Sequence, residues 1–215
     1  MRKSYGRRMR RMRRMANARW MLAAAAAVAV ALAALVVLGR SGTSAGNASA
    51  SVAGNPTGTV QTRWGPLSAT DRSLLEAVRR AGLWEMPAGQ QAQERASSAK
   101  VKEVADIIME QHMRLDADVR ATAAKLGVML PIEPNADQKR WLAELSSKAG
   151  PDYDQTFVLR LRAAHGKVFG VIAKTRASTE NTEIRAFAER SLRYVNTHMA
   201  LLESTGLATK ASLAS

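Results

Sequence analysis

The run VKEVADIIMEQHMRLDADVRATAAKLG, Val101–Gly127, decides the fold. Val101, Ala105, Ile108, His112, Leu115, Val119, Thr122 and Leu126 recur in it at steps of three and four residues. That spacing lines one face of a helix roughly seven turns long. The seam is apolar except for Thr122 and one histidine, so it faces a core rather than water. Ser97 or Ser98 suits the N-cap and Gly127 the C-cap, with Pro131 and Pro134 enforcing a break beyond.

The same period extends outward in both directions. Upstream, Leu74, Val78, Ala81, Glu85, Ala88 and Ala92 form a seam behind the candidate N-caps Ser68 and Thr70. Pro87 and Gly89 interrupt it, and a kink is expected near Leu83–Pro87. Downstream, Asn135–Ala149 has room for a short helix around Trp141, Leu142 and Leu145. A third long helix begins near Asp152 and carries Val158, Leu161, His165, Val168, Ile172 and Thr175. After a turn near Ser178–Asn181, the last carries Ile184, Phe187, Ser191, Tyr194, His198 and Leu201 and ends near Gly206. The prediction is an all-α domain over residues 67–206, a four-helix bundle, with 207–215 as a disordered tail. The middle connection, Val128–Pro151, is long enough for a crossover with the second and third long helices parallel, as in ferritin-like folds. A simple up-down bundle is the alternative.

The N-terminus differs in kind. The chain of 215 residues has 32 Lys+Arg against 18 Asp+Glu, a net charge of +14. Residues 1–19 alone carry +9 and no acid, whereas everything from Trp64 onward carries only +3. The domain is therefore nearly balanced, and no nucleic-acid partner is expected. Trp20–Leu38, WMLAAAAAVAVALAALVVL, has no charged residue and would span ~28 Å as a helix, about one hydrocarbon core. It reads as a single-pass transmembrane anchor with the arginines inside and the bundle extracytoplasmic. The rival reading is a cleaved signal peptide, for which Ala48-Ser49-Ala50 has the small-x-small form. Residues 39–66, rich in Gly, Ser, Ala, Thr and Asn, read as a flexible tether.

Several chemistries are excluded. The chain has no cysteine, hence no disulfide, thiolate ligand or cysteine nucleophile. It has no Gly-rich phosphate loop and no Gly-x-Ser-x-Gly. No catalytic residue is assigned, and a binding role is expected rather than an enzyme. What remains is one ionisable residue in each long seam: Glu85, His112, His165 and His198, which include all three histidines. Counted from the hairpin turn near Ser97, Glu85 lies twelve residues before and His112 fifteen after. From the turn near Glu180, His165 lies fifteen before and His198 eighteen after. Differences of three residues are ~4.5 Å along a helix, so the four share one level of the bundle. Imidazoles plus a carboxylate suit one transition-metal ion: zinc, manganese, iron or copper. Asp116, one turn after His112, is placed to orient its ring. A di-iron centre is disfavoured, because Met109 and Val195 stand where Glu-x-x-His would need acids. The alternative to a metal site is a polar layer that satisfies itself and only fixes helix register, in an interaction module of the cell envelope. The protein partner is open, and a second copy of the chain is admissible.

Four stretches also carry a family resemblance: LSATDRSLLEAVRRAGLWEMPAGQQAQERASSAKVKEVADIIMEQH from Leu67, GVMLP at Gly127–Pro131, DQTFVLRLRAAHGKVF from Asp154, and AERSLRYVNTHMALL from Ala188. Together they resemble a ferritin-like family of bacterial envelope proteins known as domain of unknown function family 4142. The resemblance implies a signal or anchor followed by a helical bundle. It places Glu85, His112, His165 and His198 on recurring polar positions. Pro87 departs from the family pattern, as does Gln111, where an acid is frequent. No activity comes with the resemblance.

Overall fold

The computed structural model describes residues 58–209. The basic segment 1–19, the apolar segment 20–38, tether residues 39–57 and the last six residues lie outside the described residues. The elements are β1 (Val60–Thr62), β2 (Gly65–Leu67), α1 (Ala69–Arg95), α2 (Ala99–Leu126), α3 (Ala136–Ser146), α4 (Gly150–Ser178) and α5 (Thr182–Glu203). Among the described residues no helix is long and apolar enough to cross a membrane.

The helix ends follow local chemistry. Ser68 and Asp71 form a reciprocal capping box, each side chain accepting the other's backbone N–H, at 3.1 and 2.8 Å. Ser98 caps α2, and Gly127 closes it in the left-handed region at φ 65°. Every residue of the Val101–Leu126 seam is buried. In α5 the seam is rotated slightly from the expected one: Val195 and Leu202 are buried, while Tyr194 and Leu201 are half-buried.

Three expectations are corrected. Helix α1 runs unbroken through Pro87 to Arg95. The proline is exposed, so its ring faces solvent and the helix loses one backbone hydrogen bond. Gly89 is not an interruption but a point of close approach. A Cβ there would stand 3.0 Å from both the Ala105 carbonyl oxygen and Met109 Cβ of α2. The end of the expected tether is also structured: residues 60–67 form an antiparallel hairpin. Its Gly65, at φ 100°, lies against the Glu180 carbonyl, where a Cβ would come within 2.7 Å. Asn181 binds the hairpin through Nδ2, donating to Thr62 Oγ1 and the Gly65 carbonyl, and Thr182 N donates to the Trp64 carbonyl. At the other end, Leu207 and Ala208 pack on the core instead of trailing free.

Helix α1 packs on α2 and α4, and α5 packs on α2 and α4. The connection from α2 to α4 climbs beside α1. Arg79 Nε donates to the Pro131 carbonyl near its start, and Arg95 donates to the Lys148 carbonyl at its end. Sixteen residues of α1 separate those anchors, or ~24 Å. The start of α4 therefore lies beside the start of α2. Asp154 confirms it by accepting from Ser97 N, Ser97 Oγ and Ser98 N. Helices α2 and α4 are thus parallel, and the connection is a crossover carrying α3 against α1 and α4.

The core has two apolar clusters. One gathers Leu74, Leu115, Val119, Ile172, Ile184 and Phe187. The other gathers Trp84, Val104, Ile108, Phe157, Leu161 and Leu202. Gly89 lies against α2 in the second, which gives a paired prediction. Gly89→Ala forces the α1–α2 backbones apart and lowers unfolding stability by about 1–2 kcal/mol despite its better helix propensity. Gly170→Ala, on α4 where a Cβ meets nothing within 4 Å, raises it by about 0.5–1 kcal/mol. Thermal and urea unfolding of the two variants beside the parent measure both.

Candidate metal centre

Between the two apolar clusters lies a polar layer with one residue from each long helix. On α2, His112 separates Ile108 of one cluster from Leu115 of the other. On α4, His165 separates Leu161 from Ile172, and on α5 His198 separates Val195 from Leu202. Glu85 follows Trp84 on α1. All four are buried, with exposures of 2% for Glu85, 3% for His112, 1% for His165 and 0% for His198.

The four side chains meet. Glu85 Oε2 lies 2.9 Å from His112 Nε2 and 3.4 Å from His165 Nε2. His165 Nε2 lies 2.9 Å from His198 Nδ1. One nitrogen from each histidine falls within 4.8 Å of the other two. Donor atoms about 2.0–2.1 Å from one tetrahedral ion stand roughly 3.3 Å apart, so the contacts of 2.9–3.4 Å are of the right size and the wider histidine separations would have to close.

The outward nitrogens decide the tautomers. His165 Nδ1–H donates to the Leu161 carbonyl at 2.8 Å, one turn back on its own helix. That leaves Nε2 of His165 bare and directed inward, where it accepts from His198 Nδ1–H. Glu85 accepts from His112 Nε2–H. His198 Nε2 faces the Gln111 side-chain amide at 3.1 Å. This amide can donate to a bare Nε2 or accept from a protonated one by rotating. His112 Nδ1 is buried and has no hydrogen-bond partner. It faces Gly82, where a Cβ would lie 3.8 Å from it and 3.9 Å from Asp116 Oδ1.

Asp116, expected to orient His112, makes no direct hydrogen bond to that ring. Its carboxylate pairs with Arg79 of α1 and with Arg120, one turn on. Gln111 and the Leu161 carbonyl are the contributors that sequence spacing missed. Gln111 sits beside a seam histidine rather than on the seam. A backbone carbonyl carries no residue signature at all, although an i−4 carbonyl is within reach of any helical histidine that leans back.

The electrostatics of the layer agree with its geometry. Burial pushes the Glu85 carboxyl up. The interactions with His165 and His112, with the hydrogen bond from His112, outweigh burial and hold it below the usual carboxylate range. Burial drives His165 below the usual imidazole range, against the pull of Glu85. Burial, with His112 and His165, lowers His198 to about 2. At neutral pH the centre therefore holds an ionised carboxylate beside two uncharged imidazoles, the states in which these groups bind a cation.

The family described as Domain of unknown function (DUF4142) matches residues 57–204. No curated protein and no solved structure matches the chain.

The lowered imidazoles make folding sensitive to acid. Both histidines titrate near 6.5 when unfolded and lower when folded, so the unfolded chain binds more protons below pH 6.5 and stability falls there. Glu85 adds a further loss only below about 4.5. Treated with chelator, the chain is expected to lose about 1 kcal/mol between pH 7 and 5.5 from His198, with a further loss in the same direction from His165. His198→Gln should flatten that slope. Urea unfolding across the pH series measures it, and equal slopes in parent and variant would contradict the assignment.

Proposed function

Since the chain belongs to this domain of unknown function family, we propose that it is a membrane-anchored member whose extracytoplasmic bundle holds one transition-metal ion on Glu85, His112, His165 and His198. The observation that carries this reading is the convergence of three imidazole nitrogens within 4.8 Å of one another, with the Glu85 carboxylate against His112 and His165 and an acceptor behind two of the rings. A ligating histidine ordinarily donates its outer N–H to a carbonyl or carboxylate. Here Leu161 serves His165, and the Gln111 oxygen serves His198 once an ion takes Nδ1. An ion on His112 Nε2 moves that ring's proton to Nδ1, which now lacks a partner and opens toward Gly82 and Asp116. The outer shell thus suits the metal-bound tautomers of His165 and His198 and leaves an Nδ1–H of His112 without an acceptor.

Four protein ligands close a tetrahedral shell, which favours holding an ion over turning over a substrate. Zinc, copper, iron and manganese are the candidates, and storage, sensing or oxidative protection the roles such a site serves. The crossover between parallel α2 and α4 supports assigning the bundle to the ferritin-like class. The uncharged run of residues 20–38 behind nine basic residues supports the anchor and its orientation.

The test is metal content by mass spectrometry on the full chain purified without chelator, beside His165→Ala. About one equivalent of a transition metal in the parent is expected, lost in the variant while helical circular dichroism is retained. No metal in the parent, even after incubation with each of the four ions, would falsify the proposal.

A further inference from the structure

A pocket of ≈ 240 Å³ opens between α1, α3 and α4 and reaches Glu85 from outside the bundle. At ~30 Å³ per water it has room for roughly eight heavy atoms, a small metabolite rather than a macromolecule. Its inner wall is apolar, formed by Ala81, Trp84, Ala164 and Val168. Trp141 of α3 stacks edge-on against Trp84, with ring centroids 5.2 Å apart, and closes one side.

The polar groups of the pocket are nearly all donors. Asn135 and Gln138 accept each other's backbone N–H through their side-chain oxygens, both at 2.9 Å, in the capping box of α3. Their NH2 groups have no partner among the described residues. Lys167 is exposed on the wall and pairs with no acid there, and Arg80 reaches Glu76 one turn back at 3.2 Å. Glu85 is the one acid in the lining, and it is turned to the histidines. The mouth therefore holds Lys167 beside an Arg80 that also pairs with Glu76, the walls are apolar, and the deepest group is the Glu85 carboxyl.

We propose that this pocket binds a small organic monocarboxylate, its head at Arg80 and Lys167 and its short apolar body along Ala81, Trp84 and Val168. An apolar wall takes up the chain by removing it from water, and the two cations select the head. The apolar inner wall selects against a second carboxylate at the far end, because burying an unpaired charge there is costly. The pocket is formed by α1, α3 and α4 without any ion, so the inference goes beyond the metal reading and is tested apart from it.

The experiment uses the full chain in lipid nanodiscs, treated with chelator, with empty nanodiscs as blank. Tryptophan fluorescence is followed during titration with hexanoate, hexanol and adipate, which share a six-carbon body and differ in charge. Hexanoate should saturate at millimolar concentration and bind roughly fivefold more tightly than hexanol, the preference two partly exposed ion pairs supply. Adipate should bind more weakly than hexanoate. The R80Q/K167Q variant should keep its helical circular dichroism and lose the preference for hexanoate over hexanol. An unsaturable hexanoate signal, equal affinity for hexanoate and hexanol, adipate binding as tightly as hexanoate, or a preference that survives in R80Q/K167Q would overturn the proposal. None of those results bears on metal content.

Discussion

A carboxylate buried at the centre of a helical bundle sets the terms for everything around it. Glu85 is 2% exposed, with His112 2.9 Å and His165 3.4 Å from its carboxylate. Removing such a charge from water is costly, and losing a partner in place leaves it uncompensated, a penalty of about 3–5 kcal/mol. Those partners come from helices that must cross at one height. The requirement divides the core into two apolar clusters with a single polar level between them. A slip of α1 by one turn would take the carboxylate away from both imidazoles, and a slip of α2 or α4 would cost it one of them. The layer therefore specifies register as well as offering ligands, and the two roles use the same hydrogen bonds.

The connectivity supplies what the layer needs. Each helical hairpin brings two of the four residues, and the crossover docks one hairpin against the other. It is held along its course by side chains rather than by regular backbone pairing. Arg79 grips its start, α3 covers its middle, and Arg95 grips its end. Asp154 then joins the two hairpins at one end by capping the start of α2 from α4. At the opposite end Asn181 caps α5 and holds the β-hairpin with the same side chain. The bundle is thus clamped at both ends by polar residues that also start helices.

Helix positions were legible because burial follows the 3.6-residue period, and the seam of α2 was readable residue by residue. The level of Glu85 and the three histidines followed from rise per residue alone, since hairpin turns fix the zero of height. What escaped has physical reasons. The hairpin at residues 60–67 is only two three-residue strands, and its order comes from Asn181, more than a hundred residues away. Pro87 looked like a break because proline statistics ignore which way the ring faces, and here it faces water. Gly89 looked like a weakness, whereas it is the point where two backbones nearly touch. Asp116 stood at the correct spacing to meet His112 but was taken by two arginines, a competition that spacing along one helix does not reveal.

The division of the layer between two hairpins also bears on the order of events during synthesis. A ribosome delivers α1 and α2 first, and that hairpin carries Glu85 and His112 but no third ligand. The chain must then extend through α3 and α4 and well into α5 before His198 exists. The first hairpin alone pairs Glu85 with His112, so the polar layer stays incomplete until the last helix docks and brings His198 against His165.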